Sequence, residues 1–385
     1  MAGGKVQYSE LLFNKNCSTI LDAKIKGKLK VKNKRFFYQI KTDTFIGDHI
    51  YEVVSVINYL MRTYKQKIPI TFELGYFEFS DKLVYVILES ICYYMIKDLN
   101  YDIMIDFNAK HTIWSEGISY SPLKYLGNKS YFVRRFQNDI YMRHYRRLIP
   151  NIQEQKKEYL SNLMQEIFNF LRNNGMAEES CEQLSEVLVE LAGNASEHGK
   201  TDCLLDIDIT RSQYFKVKDN SDKQFYGVNA VVLNYSPTLF HEPLKNKLQD
   251  SKCLNERYCS VKKAKEYHFQ HFQTNYNEND FYTISSFQHK ISGNKKKNNT
   301  GGTGLTYLLK SLEEKSDTHY CYMISGNRVL FLEKDYMLSD SDKYVGFNKE
   351  KNYFTQIPES MLLQTVRMFL SGVAYNLNYA IEKEW

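Results

Sequence analysis

The sequence predicts an α/β fold in two units, and three observations carry that prediction. The 385 residues are 43% hydrophobic, enough for two domains that each bury a core. Residues 69–107 read strand, helix, strand, the pattern of a crossover unit with parallel pairing. The chain holds 31 Tyr and 23 Phe but only 6 Pro, and aromatic residues favour strands as well as cores.

The elements follow in order. "PITFEL", 69–74, reads as a buried strand. Residues 81–98 read as a helix, because Leu83, Ile87, Ile91 and Met95 recur at i+4 with Val84, Leu88 and Cys92 alongside. "YDIMIDF", 101–107, alternates like a strand. The stretch 131–147 mixes aromatics with Arg134, Arg135, Arg143, Arg146 and Arg147 and ends at Pro150. A domain boundary is placed between about 125 and 150, with an N-terminal unit over 1–130 and a basic-aromatic connector over 131–152. The second unit, 153–385, opens with a helix over about 153–173, where Leu160, Leu163, Met164, Ile167, Phe168 and Leu171 follow helical spacing up to Gly175. A second helix is expected from Ser180, with Gln183 completing a capping box. Strands are expected at about 203–209 and 228–234, then a long polar stretch over 242–300. A helix follows "GGTGL", a hairpin around "SGN" joins strands 319–325 and 328–333, and a last strand covers 373–381.

Composition narrows the function. The net charge is +6 from 51 basic and 45 acidic residues, a mild excess that does not by itself imply nucleic acid or an anionic membrane. Seven scattered cysteines without a CxxC pair read as reduced thiols, not as a disulfide framework or a zinc site. The opening "MAGGKVQYSE" has no apolar leader core, and no apolar run reaches the roughly 18–20 residues that span a bilayer. A soluble, cytoplasmic protein is expected, without membrane contact.

Two stretches carry candidate chemistry. In "VELAGNASEHGK", Leu184, Val187, Leu188, Leu191 and Ala195 make a buried stripe, while Glu190, Asn194 and His198 form a row on the adjoining face. An amide oxygen can hold a hard cation such as magnesium, and a carboxylate one turn away can orient or deprotonate water. An E-x-x-x-N pair also suits an ordinary solvated helix face. In "NNTGGTGLTYLLKSL", Gly301, Gly302, Thr303 and Gly304 open a helix that begins at Leu305. Free backbone N–H groups at such a start suit phosphate, and Lys295, Lys296 and Lys297 lie just upstream. It is neither a Walker loop nor a dinucleotide fingerprint. A flexible glycine loop is the plainer alternative. His268 and His271 lack the further ligands that a metal site needs. The Arg–aromatic stretch is a candidate nucleic-acid contact, or a cover over an interdomain contact.

Together and in this order, the stretches resemble the GHKL ATPase superfamily of gyrase, MutL proteins, histidine kinases and anti-sigma-factor serine kinases. The resemblance covers roughly 155–385 and implies a Bergerat α/β-sandwich that binds ATP and Mg²⁺. "ELAGNASEHG" looks like the family's N-box, which implies Glu190 as the base that activates water and Asn194 as the magnesium ligand, with His198 and Gly199 matching the anti-sigma-kinase branch. "GGTGL" looks like the second glycine box, so Gly301, Gly302, Thr303, Gly304 and Leu305, with Lys297, would line the phosphates. Residues 242–300 would be the lid, and Gly372 is kept in the last glycine turn with Val373 where threonine is common. The family's D-x-G-x-G is replaced: Asn234 stands where an Asp reads the adenine amino group, followed by Tyr235, Ser236 and Pro237. A neutral amide is the weaker acceptor.

The N-terminal unit is similar to STAS domains, the partners of anti-sigma kinases. The turn that often carries a phosphorylated Ser there is "FSDKL" here, with Ser80 and Asp81, and no phosphoacceptor is assigned. The resemblance implies Mg-dependent ATP hydrolysis as a switch toward a protein partner. Alternatives are a serine protein kinase of the anti-sigma type, or a non-catalytic module with a degenerate pocket. A homodimer is a further expected partner arrangement.

Overall fold

A computed structural model describes residues 7–112, 115–151, 156–210, 225–249, 255–293, 304–316, 321–337 and 344–383. The N-terminal unit holds α1 (Tyr8–Phe13), α2 (Asp22–Lys28), β1 (Lys30–Lys32), β2 (Arg35–Gln39), β3 (Thr44–Phe45), α3 (Gly47–Thr63), β4 (Ile70–Phe79), α4 (Lys82–Lys97), β5 (Ile103–Lys110) and α5 (Lys129–Gln137). The crossover expected over 69–107 is present: β4 and β5 pair in parallel with α4 between them. On the other edge of β4, β2 covers the start and β3 the end, both parallel, while β1 pairs antiparallel with β2.

The second unit holds β6 (Asn138–Tyr141), β7 (His144–Ile149), α6 (Lys156–Asn173), α7 (Glu178–Gly199), β8 (Cys203–Ile209), β9 (Phe225–Tyr235), α8 (Glu242–Gln249), α9 (Glu256–Phe269), α10 (Glu278–Ser286), α11 (Gly304–Lys315), β10 (Tyr322–Phe331), α12 (Lys334–Met337) and β11 (Leu363–Glu382). Its sheet runs β10-β11-β9-β8-β7-β6, antiparallel throughout. The chain is therefore mixed α/β, with one largely parallel and one antiparallel sheet.

The second sheet is covered on both faces. Odd-numbered Leu205, Ile207, Tyr375 and Leu377 join a core with α6, α7 and α11. Their strand neighbours Leu204, Val231, Leu233 and Ala374 join a core with α3 and α4. The order of layers is first sheet, helices α3 and α4, second sheet, helices α6, α7 and α11. Helix α4 lies between two sheets, and every residue from Lys82 to Ile96 is buried, which is why its sequence is apolar on more than one side. Asp81 caps it, its carboxylate accepting from Val84 N at 3.0 Å.

Four expectations need correction. Residues 131–152, expected as a connector, hold the end of α5, the edge strand β6 and its neighbour β7, because the sheet's ladder continues through Asn138–Ile149. The expected hairpin at "SGN" is one strand: β10 runs straight through, and Gly326, at φ +63°, takes up a register shift against β11. The capping box at Ser180 is not formed. Helix α7 starts a turn earlier, and Ser180 and Gln183 instead accept from Lys315 of α11. The polar stretch 242–300 contains three helices whose Leu244, Tyr258, Val261, Phe281 and Ile284 are buried in the same core as the sheet. No helix among the described residues is long and apolar enough to cross a membrane.

Candidate functional site

The apolar stripe of α7 is buried as expected, with Leu184, Leu188 and Leu191 at most 1% exposed. That packing turns the adjoining row outward, and Glu190, Asn194 and His198 line one cavity of about 260 Å³. Asn194 Nδ2 donates to Glu190 Oε1 at 3.2 Å. A carboxylate only accepts, so the amide nitrogen is the atom that faces it, and Oδ1 is the atom of Asn194 that could coordinate a cation.

Asn234, at the end of β9, lines the same cavity and is buried. Its Nδ2 donates to Thr201 Oγ1 at 2.8 Å and to the carbonyl of Asp202 at 2.9 Å. A backbone carbonyl cannot donate, so this contact fixes which way the amide points. Oδ1 is turned toward Gly199, where a β-carbon would overlap it. Two glycines pack on Asn234: Gly199, at the end of α7, against its side chain, and Gly372, at φ +115°, against its backbone. Ser236, in place of a glycine, is buried and donates to the carbonyl of Gly199 at 3.1 Å.

The third wall is the start of α11. Gly304 and Leu305 line the cavity, and a β-carbon on Gly304 would overlap Glu190 Cγ. Apolar lining comes from Leu191, Ala195, Phe240, Leu244, Ile291 and Val373. The structure thus brings Glu190, Asn194, His198, Asn234, Gly304 and Leu305 together. Lys297, Gly301, Gly302 and Thr303 lie outside the described residues. Thr201 and Asp202, which orient Asn234, are not legible in sequence: no spacing marks turn residues that will meet a strand residue 33 and 32 positions later. Residues 242–300, expected as a lid, supply the α8–α10 side of the cavity, where Ser286, Ile291 and Gly293 line it; their helices are not legible because the segment reads as polar.

The five arginines do not form one face. Alternation along β7 sends Arg146 into the interior and Arg147 to Glu166 of α6, at 2.9 Å. Arg135 pairs with Asp139 at 2.6 Å, and Arg143 donates to the Thr210 carbonyl at 2.9 Å. Arg134 is exposed and stacks on Tyr131. His268 is buried between the Tyr276 hydroxyl and the Tyr353 carbonyl, a structural role. Among the described residues no group of three or more His, Cys, Asp or Glu side chains converges as a metal site.

A second polar cluster lies between the layers. Lys82 Nζ is 2.6 Å from Asp206 Oδ1 and 2.8 Å from Asp208 Oδ2. Arg146 pairs with both Asp206 and Glu89. His144 bridges Asp139 and Asp206, at 3.2 Å from each. Burial would raise the Asp206 pKa, but Arg146, Lys82 and His144 outweigh it and hold the carboxyl well below its ordinary range.

Comparison with protein-family models, with curated proteins and with solved structures finds no match.

Proposed function

We propose that this protein is a GHKL-type nucleotide-binding protein that takes ATP with Mg²⁺ between α7, the end of β9 and the start of α11. The observation that carries this reading is the convergence of Glu190, Asn194, His198, Asn234, Gly304 and Leu305 on one cavity, from three separate elements. The order of elements supports it: helix, two strands, a long excursion, a helix and two strands. The parallel β2, β4 and β5 with their helices support a STAS-like N-terminal unit in the same way.

The residues fit the ligand chemically. The apolar walls suit a purine ring, and Asn234 Oδ1, left over when its Nδ2 bonds Thr201 and Asp202, would be the acceptor for an exocyclic amine. The start of α11 presents backbone N–H groups to phosphate oxygens. Magnesium would be held by Asn194 Oδ1 and would neutralise charge on the phosphates, and a Mg²⁺ site commonly uses one or two protein ligands with phosphates and water. Glu190 orients Asn194 in the absence of ligand and is the carboxylate in place to orient a water for γ-phosphate hydrolysis. The protein would then use hydrolysis as a switch. One observation favours a second reading, a module that binds without turnover: Asn234 is a neutral acceptor held in place by two hydrogen bonds.

The test is a magnesium-dependent thermal shift with ATP, together with ATP turnover, in the native protein, Glu190→Gln and Asn194→Ala. The reading expects Glu190→Gln to bind but not turn over, and Asn194→Ala to lose the magnesium-dependent part of the shift. An Asn194→Ala protein with the full shift would remove the site assignment. Phosphoserine on the protein, read by mass spectrometry after incubation with ATP, would indicate the kinase alternative.

A further inference from the structure

Adjacent residues of a strand face opposite sides of a sheet. On β9, Asn234 faces the cavity, and Tyr235 faces the N-terminal layer, where its hydroxyl lies 2.6 Å from Ser90 Oγ of α4. Its ring meets Tyr94 of α4 edge-on at 5.8 Å. On β11, Val373 and Tyr375 line the cavity, while Asn376 faces the other side and accepts from Leu83 N at 3.1 Å, in the first turn of α4. Helix α4 thus lies across the back of the two strands whose front forms the floor of the cavity.

A second link runs around the edge of the sheet. Asn234 Nδ2 donates to the Asp202 carbonyl at 2.9 Å, and the Asp202 N–H donates to the Tyr8 hydroxyl of α1 at 2.8 Å. Tyr8 in turn stacks on Tyr94, with ring centroids 4.8 Å apart. Asn234 and Tyr8 therefore hold the same residue from two sides.

Resting on the nucleotide reading above, we propose that the chain's own N-terminal layer senses occupancy of the cavity, through Asn234–Asp202–Tyr8 at the edge and Tyr235–Ser90 behind the floor. A nucleotide that bonds Asn234 adds to the restraint its amide already has and so removes motion from Asp202 and from the end of β9. Docking of α1 and α4 then orders less additional motion, so the two events favour each other. Linkage makes the coupling reciprocal: anything that grips or loosens the N-terminal layer changes nucleotide affinity by the same factor.

The experiment uses the full chain. Backbone hydrogen exchange is followed with and without saturating ATP and Mg²⁺, and ATP affinity is measured for the native protein, Tyr8→Phe and Ser90→Ala. Tyr8→Phe keeps the ring stack and removes only the hydroxyl; near-UV circular dichroism confirms that each variant is folded. The proposal expects slower exchange in α1 and the first turns of α4 when ATP is bound, and ATP binding weakened on the order of fivefold in Tyr8→Phe, although Tyr8 does not line the cavity. Native protein that binds ATP with no change of exchange in α1 or α4, and variants of native affinity, would overturn the coupling and leave the nucleotide reading intact. A native protein that gives no ATP response at millimolar concentration overturns the nucleotide reading, and this coupling with it.

Discussion

Arg146 on β7 and Asp206 on β8 are cross-strand partners whose side chains form an ion pair without exposed surface. Glu89 of α4 takes the other side of the guanidinium, and Lys82 of α4 takes the other oxygen of Asp206. The pair therefore joins helix α4 to the second sheet. Removing one member leaves the others charged and buried, which typically costs about 3–5 kcal/mol. Arg146→Leu is expected to lose that much in urea unfolding. Arg146→Lys should recover only part of it, because an ammonium cannot serve two carboxylates in a fork. A loss below about 1 kcal/mol for Arg146→Leu would show that the cluster does not hold the layers together.

His144 gives the same cluster a pH dependence. Burial would lower its pKa, but the carboxylates of Asp206 and Asp139 outweigh both burial and the opposing charge of Arg146, and hold it above the ordinary value of 6.5. Arg135 is paired to Asp139, and the Tyr120 ring stacks on the imidazole at 5.4 Å, so both lie around the same group. The folded state binds the proton more tightly than the unfolded chain does. Its contribution to stability is complete below about pH 6.5 and is lost as pH rises through the folded value. Melting temperature measured from pH 6 upward should fall in the native protein and fall less in His144→Gln. Equal slopes in the two proteins would assign the dependence to other groups.

Much of this arrangement was legible before folding, and the limits have physical reasons. Two apolar rows on one helix, Leu83-Ile87-Ile91-Met95 and Val84-Leu88-Cys92, correspond to a helix covered on both sides. "LLDIDI" marks a strand by its alternation, but alternation alone reads as one solvated face, and the structure buries Asp206 and Asp208 there instead. Their cations come from segments far apart in sequence, so the sequence reads Arg146 only as part of a basic-aromatic stretch that contacts nucleic acid or covers an interdomain contact. In the candidate site, the row of Glu190, Asn194 and His198 follows from helical spacing alone. The orientation of Asn234 does not, since it depends on a turn residue across the sheet. The helices α8–α10 were hidden because polar residues there alternate with a few buried ones such as Tyr258 and Phe281, too sparse to mark a period.

Two glycines of the cavity should respond differently to the same change. A methyl group at Gly304 meets Glu190 at Cγ as well as at the carboxylate, so that exposed side chain must leave its rotamer. On the nucleotide reading proposed above, Gly304→Ala should therefore lose less stability than Gly199→Ala and lower ATP turnover through the displaced carboxylate, more than it lowers ATP affinity. A methyl group at Gly199 meets the amide of Asn234, which is buried and tied to Thr201 and Asp202. Gly199→Ala should cost about 1–3 kcal/mol, the usual range for overpacking, and weaken ATP binding as well. The comparison needs only melting temperatures, ATP affinity and turnover. Equal loss of stability in both variants would contradict the assigned contacts.

Asn234→Asp inserts the residue that the GHKL resemblance leads one to expect, and it should still be harmful here. The amide nitrogen now donates to the Asp202 carbonyl, and a carboxylate oxygen in that place would set acceptor against acceptor at about the same 2.9 Å separation. Thr201 can turn its hydroxyl to donate, so one of the two contacts survives. The other leaves a buried charge facing a carbonyl, which costs about 1–3 kcal/mol or more. Asn234→Asp is expected to melt at lower temperature and to bind ATP no more tightly than the native protein. A variant that gained ATP affinity at an unchanged melting temperature would mean that Thr201 and Asp202 do not set the orientation of residue 234. If the loss appears as expected, the site is an Asn-based acceptor with its own supporting turn, and the charged form belongs with a different turn.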